Sequence, residues 1–287
     1  MPVRTDLAME SAAAYRQHPP EGILFREETL EGITVTHIEI TTEHAAALLG
    51  RHLGHYVTVE FSPEKEDAQA LAHALAKVLQ PWLPQTGCIL VVGLGNDRMT
   101  PDALGPRAVR KILATRHLPA DFAEKTGLEG LRPVAALAPG VLAQTGMESS
   151  ELVHAVVKDI APSAVIVIDA MAARAYQRLG RTIQLADSGI SPGAGVDNAR
   201  KELSKATLGV PVISMGIPTV VDGGTLACEL CGLKDDSTLP PSARQLTVTP
   251  RDIDSMIERG AKQLSLGINA ALQPHLTLEE IDYLASQ

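Results

Sequence analysis

Ala164-Val165-Ile166-Val167-Ile168-Asp169 is a run of five apolar residues closed by an acid, and its reading decides the fold. A strand apolar on both faces belongs inside a parallel sheet covered by helices, because a sheet with one wet face alternates polar and apolar instead. Cys88-Ile89-Leu90-Val91-Val92 reads the same way and runs into Gly93-Leu94-Gly95. Working outward, further strand-length runs fall at 33–40, 56–61, 133–138, 182–185 and 210–215. Between them lie amphipathic segments at 64–79, 106–115 and 150–160, with a weaker one at 200–207. The alternation predicts an α/β fold, a three-layer sandwich with a mostly parallel sheet.

The chain end reads as helix. Thr249-Pro250 ahead of Arg251-Asp252-Ile253 gives a cap followed by proline at the first helical position. That helix is expected to reach about Leu272, before Pro274, with a short one from Thr277 carrying Glu279 and Glu280 in its first turn. The stretch from Gly223 to Ala243 holds Gly, Pro and Ser and reads as a loop or linker.

Composition excludes several classes. A formal charge of −9 with no basic block argues against direct nucleic-acid binding, which needs a cationic face. Aromatics at 3% leave little surface for stacking bases or sugars. No uninterrupted apolar run approaches the roughly 18 residues of a membrane span. The first ten residues lack a secretory signal, so a cytoplasmic location is the expectation. Three cysteines suit a reducing compartment, and Cys228-x-x-Cys231 reads as packing, since a zinc site wants about four ligands.

In an open α/β sheet, ligands bind beyond the carboxyl ends of the strands. Asp169 closes one such strand, and Asp102 lies in Thr100-Pro101-Asp102-Ala103-Leu104-Gly105-Pro106 after another. Two carboxylates brought together share a proton, so one takes a proton from water while the other donates to the leaving nitrogen. Such a dyad cleaves an amide without a covalent intermediate. Taken singly, Asp102 reads equally as a cap for a helix opening near Ala103, and Asp169 as a turn aspartate.

Other motifs are weaker. Gly93-Leu94-Gly95 lacks the third glycine of a dinucleotide loop, where Arg98 stands, and serves better as a tight turn beneath Asp102. Asp187-Ser188-Gly189 matches pepsin-like proteases only once, and those need two copies on all-β lobes. The loop Ile190-Ser191-Pro192-Gly193-Ala194-Gly195 is a candidate border of the cleft, and Asp222 a supporting carboxylate or a turn. No histidine pair has zinc-protease spacing, and no Gly-x-Ser-x-Gly occurs.

These motifs resemble the spore germination proteases of endospore-forming bacteria. The matching segments include Thr5-Asp6-Leu7-Ala8, Gly93-Leu94-Gly95-Asn96, Thr100 to Pro106, Ile168-Asp169-Ala170 with Ala172-Ala173-Arg174, Asp187-Ser188-Gly189-Ile190, Gly216 to Asp222 and Val248-Thr249-Pro250. They run in family order nearly end to end. The resemblance implies an atypical aspartic-type endopeptidase with a fold similar to hydrogenase-maturation endopeptidases. It puts the two essential aspartates on Asp102 and Asp169, with no cofactor and no metal. Asn96, Thr100, Arg174, Asp187 and Asp222 are candidate cleft residues.

The resemblance further implies a homotetramer in the spore core, made as a self-trimming zymogen that degrades small acid-soluble spore proteins. Those targets are cut after an acidic residue and before a large apolar residue, alanine, any residue and glutamate. Asp6-Leu7-Ala8-Met9-Glu10 fits, so self-cleavage between Asp6 and Leu7 is expected. Residues 1–6 then form a short propeptide and 7–287 a single protease domain, with C-terminal helices in 250–287. The leader is short for the family, and the segment from Asp222 to Val248 is compact. Two readings compete: a metal-dependent maturation-type endopeptidase on the same fold, and a non-catalytic peptide- or ligand-binding protein.

Overall fold

The computed structural model describes residues 5–62, 67–118, 130–191, 201–233 and 238–285. Nine strands form one sheet: β1 Ile23–Leu30, β2 Ile33–Ile40, β3 Gly54–Glu60, β4 Ile89–Gly93, β5 Val134–Leu137, β6 Ala164–Ala173, β7 Thr182–Ala186, β8 Val212–Asp222 and β9 Thr247–Val248. Ten α-helices accompany them among the described residues: α1 Ala8–Ala12, α2 Glu43–Leu49, α3 Ala68–Leu79, α4 Leu104–Val109, α5 Leu142–Thr145, α6 Ser149–Ile160, α7 Lys205–Leu208, α8 Gly223–Cys231, α9 Ile253–Leu272 and α10 Leu278–Ala285.

The strand order is β1-β2-β3-β7-β8-β6-β4-β5, with β9 on β8. The α/β class expected from the apolar runs is borne out, and the sheet is mixed. Strands β5, β4, β6 and β8 are mutually parallel. From β8 outward through β7, β3, β2 and β1 every pairing is antiparallel. All seven expected strands are present. The sequence reading missed β1, whose Arg26, Glu27 and Glu28 are not a buried pattern; charges on an outer strand blunt its open edge. Glu31 and Gly32 both take positive φ (53° and 82°), the geometry of a tight two-residue hairpin between β1 and β2.

Alternation along the strands sorts side chains onto two faces. One face carries Val35, Val57, Val91, Ile166, Ile168 and Met215 into the main core, under α3, α4 and α9. The other face is split. Ile38, Ile40, Tyr56 and Ala186 pack with α1 and α2, while Leu90, Val92, Val165 and Val167 pack with residues of α6. The split leaves a gap above the middle of the sheet, beside the carboxyl end of β6.

Several expectations need correction. The stretch from Gly223 to Ala243 is not a loop throughout: its first nine residues are α8, capped by Asp222 and closed by Gly232 at φ 64°. Its glycines at the start read as breakers, but the cap outweighs them. The helix expected at 106–115 is the shorter α4, and Pro106 sits in its first turn, where a missing N–H costs nothing. The long C-terminal helix opens at Ile253 rather than Pro250, whose carbonyl accepts the Ile253 N–H (3.2 Å). Residues 64–66 of one expected helix and Arg200 of another lie outside the described residues. Among the described residues no helix is long and apolar enough to cross a membrane.

Candidate active site

Asp169 lies in β6 on the face of Val165 and Val167, since residues two apart point the same way. It is therefore aimed away from the main core and into the gap, where it is 7% exposed. Its Oδ1 accepts the N–H of Ala170 (2.9 Å). Across the sheet, Asp169 pairs with Gly216 of β8, and Gly216 with Gln184 of β7. Gly216 itself is close-packed, since a Cβ there would stand 2.1 Å from the Asp169 carbonyl, and open space lies beside Asp169 and Gln184. A cavity of about 160 Å³ occupies it, lined by Asp6, Arg51, Tyr56, Asp169, Gln184 and Ser214 among others.

Asp102 stands at the carboxyl end of the neighbouring strand. Asn96 donates its N–H to Asp102 Oδ2 (2.8 Å) and to the Asp102 carbonyl (3.0 Å). The helix-cap reading is thereby replaced: α4 has no side-chain cap, and the Asp102 carboxylate folds back over the Gly95–Asn96 turn. Gly95 has φ +118°, and a Cβ there would stand 2.0 Å from the Asp102 carbonyl, so only glycine allows the turn. Leu94 donates to the carbonyl of Ile168 (2.8 Å), which joins this turn to the residue before Asp169. Asp102 thus lies in the turn beyond the end of β4. Asp169 sits in the middle of the adjacent parallel strand β6 rather than closing it as expected, because the strand runs on to Ala173. Asp169 lines the cavity and Asp102 is not among its lining residues.

The segment from Thr5 to Glu10 is held across the carboxyl end of β6. Strand β4 stops at Gly93, opposite Ile168, and leaves the rest of that β6 edge open. Asp6 takes it, donating its N–H to the Ala172 carbonyl (2.8 Å) and accepting the Ala172 N–H at Oδ2 (2.7 Å). Gln184 brackets the Asp6–Leu7 peptide: Nε2 donates to the Asp6 carbonyl (2.7 Å), and Oε1 accepts the Ala8 N–H. Leu7 is fully buried against Met171, Ala173 and Leu179. Arg51 donates to the Thr5 carbonyl (2.6 Å) and the Ser11 hydroxyl (3.1 Å).

The remaining sequence candidates have separate surroundings. Asn96 accepts at Oδ1 from Arg98 N–H (3.0 Å) and Gln144 (2.6 Å). Thr100 opens the short turn that carries Asp102, and Thr219 pins that turn through the Pro101 carbonyl (2.8 Å). Asp187 binds both the N–H (2.7 Å) and the ring Nδ1 (2.9 Å) of His55, which ties the end of β7 to β3. Asp222 caps α8 through the Thr225 N–H (2.8 Å). The side chain of Arg174 is outside the cavity, but its N–H reaches Glu10 Oε2 (2.7 Å). Ile190 and Ser191 line the cavity, and 192–195 of the same loop lie outside the described residues.

Sequence reasoning missed Arg51, Tyr56 and Gln184 as site residues, and read Glu10 only as the last position of the target pattern. Gln184 alone carried a signal, as the polar residue between Ile183 and Leu185 in a buried strand. Burial pushes the Arg51 guanidinium below its usual value, opposed chiefly by the charge of Asp6. Burial likewise pushes the Tyr56 phenol up, and its oxygen accepts from Ser188 (3.0 Å) while donating to the His52 carbonyl (2.9 Å). Among the described residues no three His, Cys, Asp or Glu side chains converge as a metal-sized cluster.

A sequence profile described as germination protease matches residues 4–232. The germination protease of Clostridium perfringens (strain ATCC 13124) is 39% identical over 98% of this chain and 98% of its own. That of Clostridium tetani is 39% identical over 98% of this chain and 99% of its own. A hydrogenase maturation protease from Thermococcus kodakarensis superposes with TM-score 0.37 at 17% identity, over 67% of this chain and 98% of that one. That likeness is too distant to carry weight.

Proposed function

Since the chain belongs to the germination protease family, whose members are endopeptidases of spore germination, we propose that it cuts peptide bonds with Asp102 and Asp169 as a dyad. One carboxylate takes a proton from the attacking water as its oxygen bonds to the scissile carbonyl carbon. The other gives a proton to the amide nitrogen as the C–N bond breaks, so the pair is returned with one proton between them. The observation that carries this reading is the Asp6–Leu7 segment, a peptide of the expected target pattern bound along β6 in the cavity of Asp169.

The same contact supports a zymogen that cuts itself between Asp6 and Leu7. Small acid-soluble spore proteins are then its substrates, the spore core its workplace and a homotetramer its form.

Asp102→Asn and Asp169→Asn, each with wild type as control, test the dyad against a spore-protein peptide. Each is expected to lower cleavage by about 10³-fold or more, the scale on which removing one member of a catalytic unit acts. Cleavage at the wild-type rate in either variant would eliminate the dyad. Mass spectrometry of aged or acidified protein reads the Asp6–Leu7 cut directly; an intact N-terminus in an active enzyme sinks the zymogen reading.

A further inference from the structure

Strand β8 carries one residue more than β6 at a step close to the site. Met171 pairs with Pro218 and Ala172 with Val220, so Thr219 is an inserted residue without a partner across the pair. Such insertions are rare in parallel pairs, and they re-aim the side chain they add. Thr219 is 1% exposed, and a buried hydroxyl is costly unless it is bonded. Its Oγ1 donates to the carbonyl of Pro101 (2.8 Å), the residue directly before Asp102. Its own carbonyl accepts from the Thr249 hydroxyl (2.9 Å), and the Pro218 carbonyl accepts the Gly180 N–H (3.0 Å). The inserted residue is therefore tied down on both sides.

The turn that carries Asp102 is held from two strands. On the β4 side the Asn96 N–H reaches the Asp102 carbonyl and carboxylate. On the β8 side the Thr219 hydroxyl holds Pro101. Asp169 of β6 pairs with Gly216 of β8, three residues before Thr219. We propose that Thr219 is a positioning residue: its hydroxyl fixes the Asp102 turn to the strand paired with Asp169 and so sets the spacing of the two carboxylates. This deepens the dyad reading and rests on it.

Spacing matters because the reaction needs one proton on the pair. Repulsion between the carboxylates drives their two apparent pKa values apart, and cleavage is fastest between those values. Wider spacing draws the values together and narrows the active pH range. Asp6, Arg51, His52 and Tyr56 in the cavity, and Asp97 and Arg98 in the Asp102 turn, carry the other titratable or charged groups nearby. None of them is altered by a change at Thr219, so the width of the pH–rate bell reports the spacing.

Thr219→Val removes the donor and keeps the shape, whereas Thr219→Ser keeps the donor. The full-length chains are assayed on a peptide carrying Asp-Leu-Ala-Met-Glu, the sequence of residues 6–10. Thr219→Val is expected to lower kcat about 100-fold with KM within about two-fold, the loss that a misplacement of about 1 Å brings. Its bell should be narrower than that of wild type. Thr219→Ser should return kcat to within about three-fold of wild type, with the wild-type width. Wild-type kcat in Thr219→Val, or a bell at least as wide as that of wild type, overturns the proposal. A folded Thr219→Ser chain as slow as Thr219→Val does the same.

Amide exchange at Asn96 and Asp102, read by NMR, follows the turn independently of cleavage. It should be about five-fold faster in Thr219→Val, and unchanged exchange overturns the clamp. Thermal unfolding confirms that each variant is folded. Thr249→Val, one contact further back, replaces Thr219→Val if that chain does not fold, with the same changes at smaller size. If Asp102→Asn and Asp169→Asn both cut at the wild-type rate, the dyad fails and the spacing role with it. If both are inactive while Thr219→Val is not, the dyad stands and the positioning role falls.

Discussion

The parallel half of the sheet (β5, β4, β6, β8) and its antiparallel half (β1, β2, β3, β7) contribute different things to one site. The parallel half pairs the end of β4 with the middle of β6 and so joins the turn that carries Asp102 to the residue before Asp169. The antiparallel half and its flanks contribute Tyr56, Gln184 and Arg51, which line the cavity or hold the N-terminal segment. The parallel half thus carries both aspartates of the proposed dyad and, through β6, part of the grip on the segment, while the antiparallel half adds grip alone. In the proposed reaction the groups of the antiparallel half hold a peptide without being required for the proton transfers.

Four substitutions sharpen that contrast, beginning with the largest effect. Ile166 is fully buried in β6 and Leu24 is 57% exposed in β1. Ile166→Ala is expected to cost about 2–5 kcal/mol, by lost burial and the cavity left behind. Leu24→Ala should stay within about 0.5 kcal/mol. Urea unfolding measures both; similar losses would mean that the outer hairpin is as much a part of the core as β6.

Asp222 ends β8 and caps α8. Asp222→Ala should lower stability by about 1 kcal/mol, as lost caps do, and leave cleavage near the wild-type rate. A collapse of cleavage in a stable variant would move Asp222 into the chemistry.

The smallest effect lies in the antiparallel half. The hydrogen bond that the His55 ring donates to Asp187 raises the His55 pKa above its ordinary 6.5, with Glu39 adding to it. A raised folded-state pKa means the contribution is full below about pH 6.5 and fades as pH rises through the shifted value. The His55 side chain is 51% exposed, so solvent screening holds the effect to about 0.5 kcal/mol or less. The difference in Tm between wild type and His55→Ala should shrink from pH 5.5 to pH 8.5, a window of roughly this position. A difference that is flat across the range would show that His55 acts through packing alone.

The halves also differ in how legible they were. Strands β4, β6 and β8 carry long apolar runs because both faces are buried, and such runs stand out in a sequence. Strand β1 is buried only at Ile23, so nothing in its pattern separated it from a polar loop. Asp102 and Asp169 were found because each follows a legible apolar run. Arg51 was not, because a charged residue after a helix looks like any solvated side chain until its partners are known.

The sequence by itself determined the α/β class, the two aspartates that follow apolar runs and the acid–apolar–alanine–x–glutamate segment at 6–10. These are local properties: periodicity, the residue that closes a run, a motif of five positions. Only the tertiary structure decided that β4 stops short of β6, that the freed edge is filled by the chain's own Asp6 to Glu10, and that Gln184 reaches that segment over a glycine. Those facts depend on pairing residues 32 to 178 positions apart. Pairing of that kind is set by how faces and edges pack, which no local pattern contains.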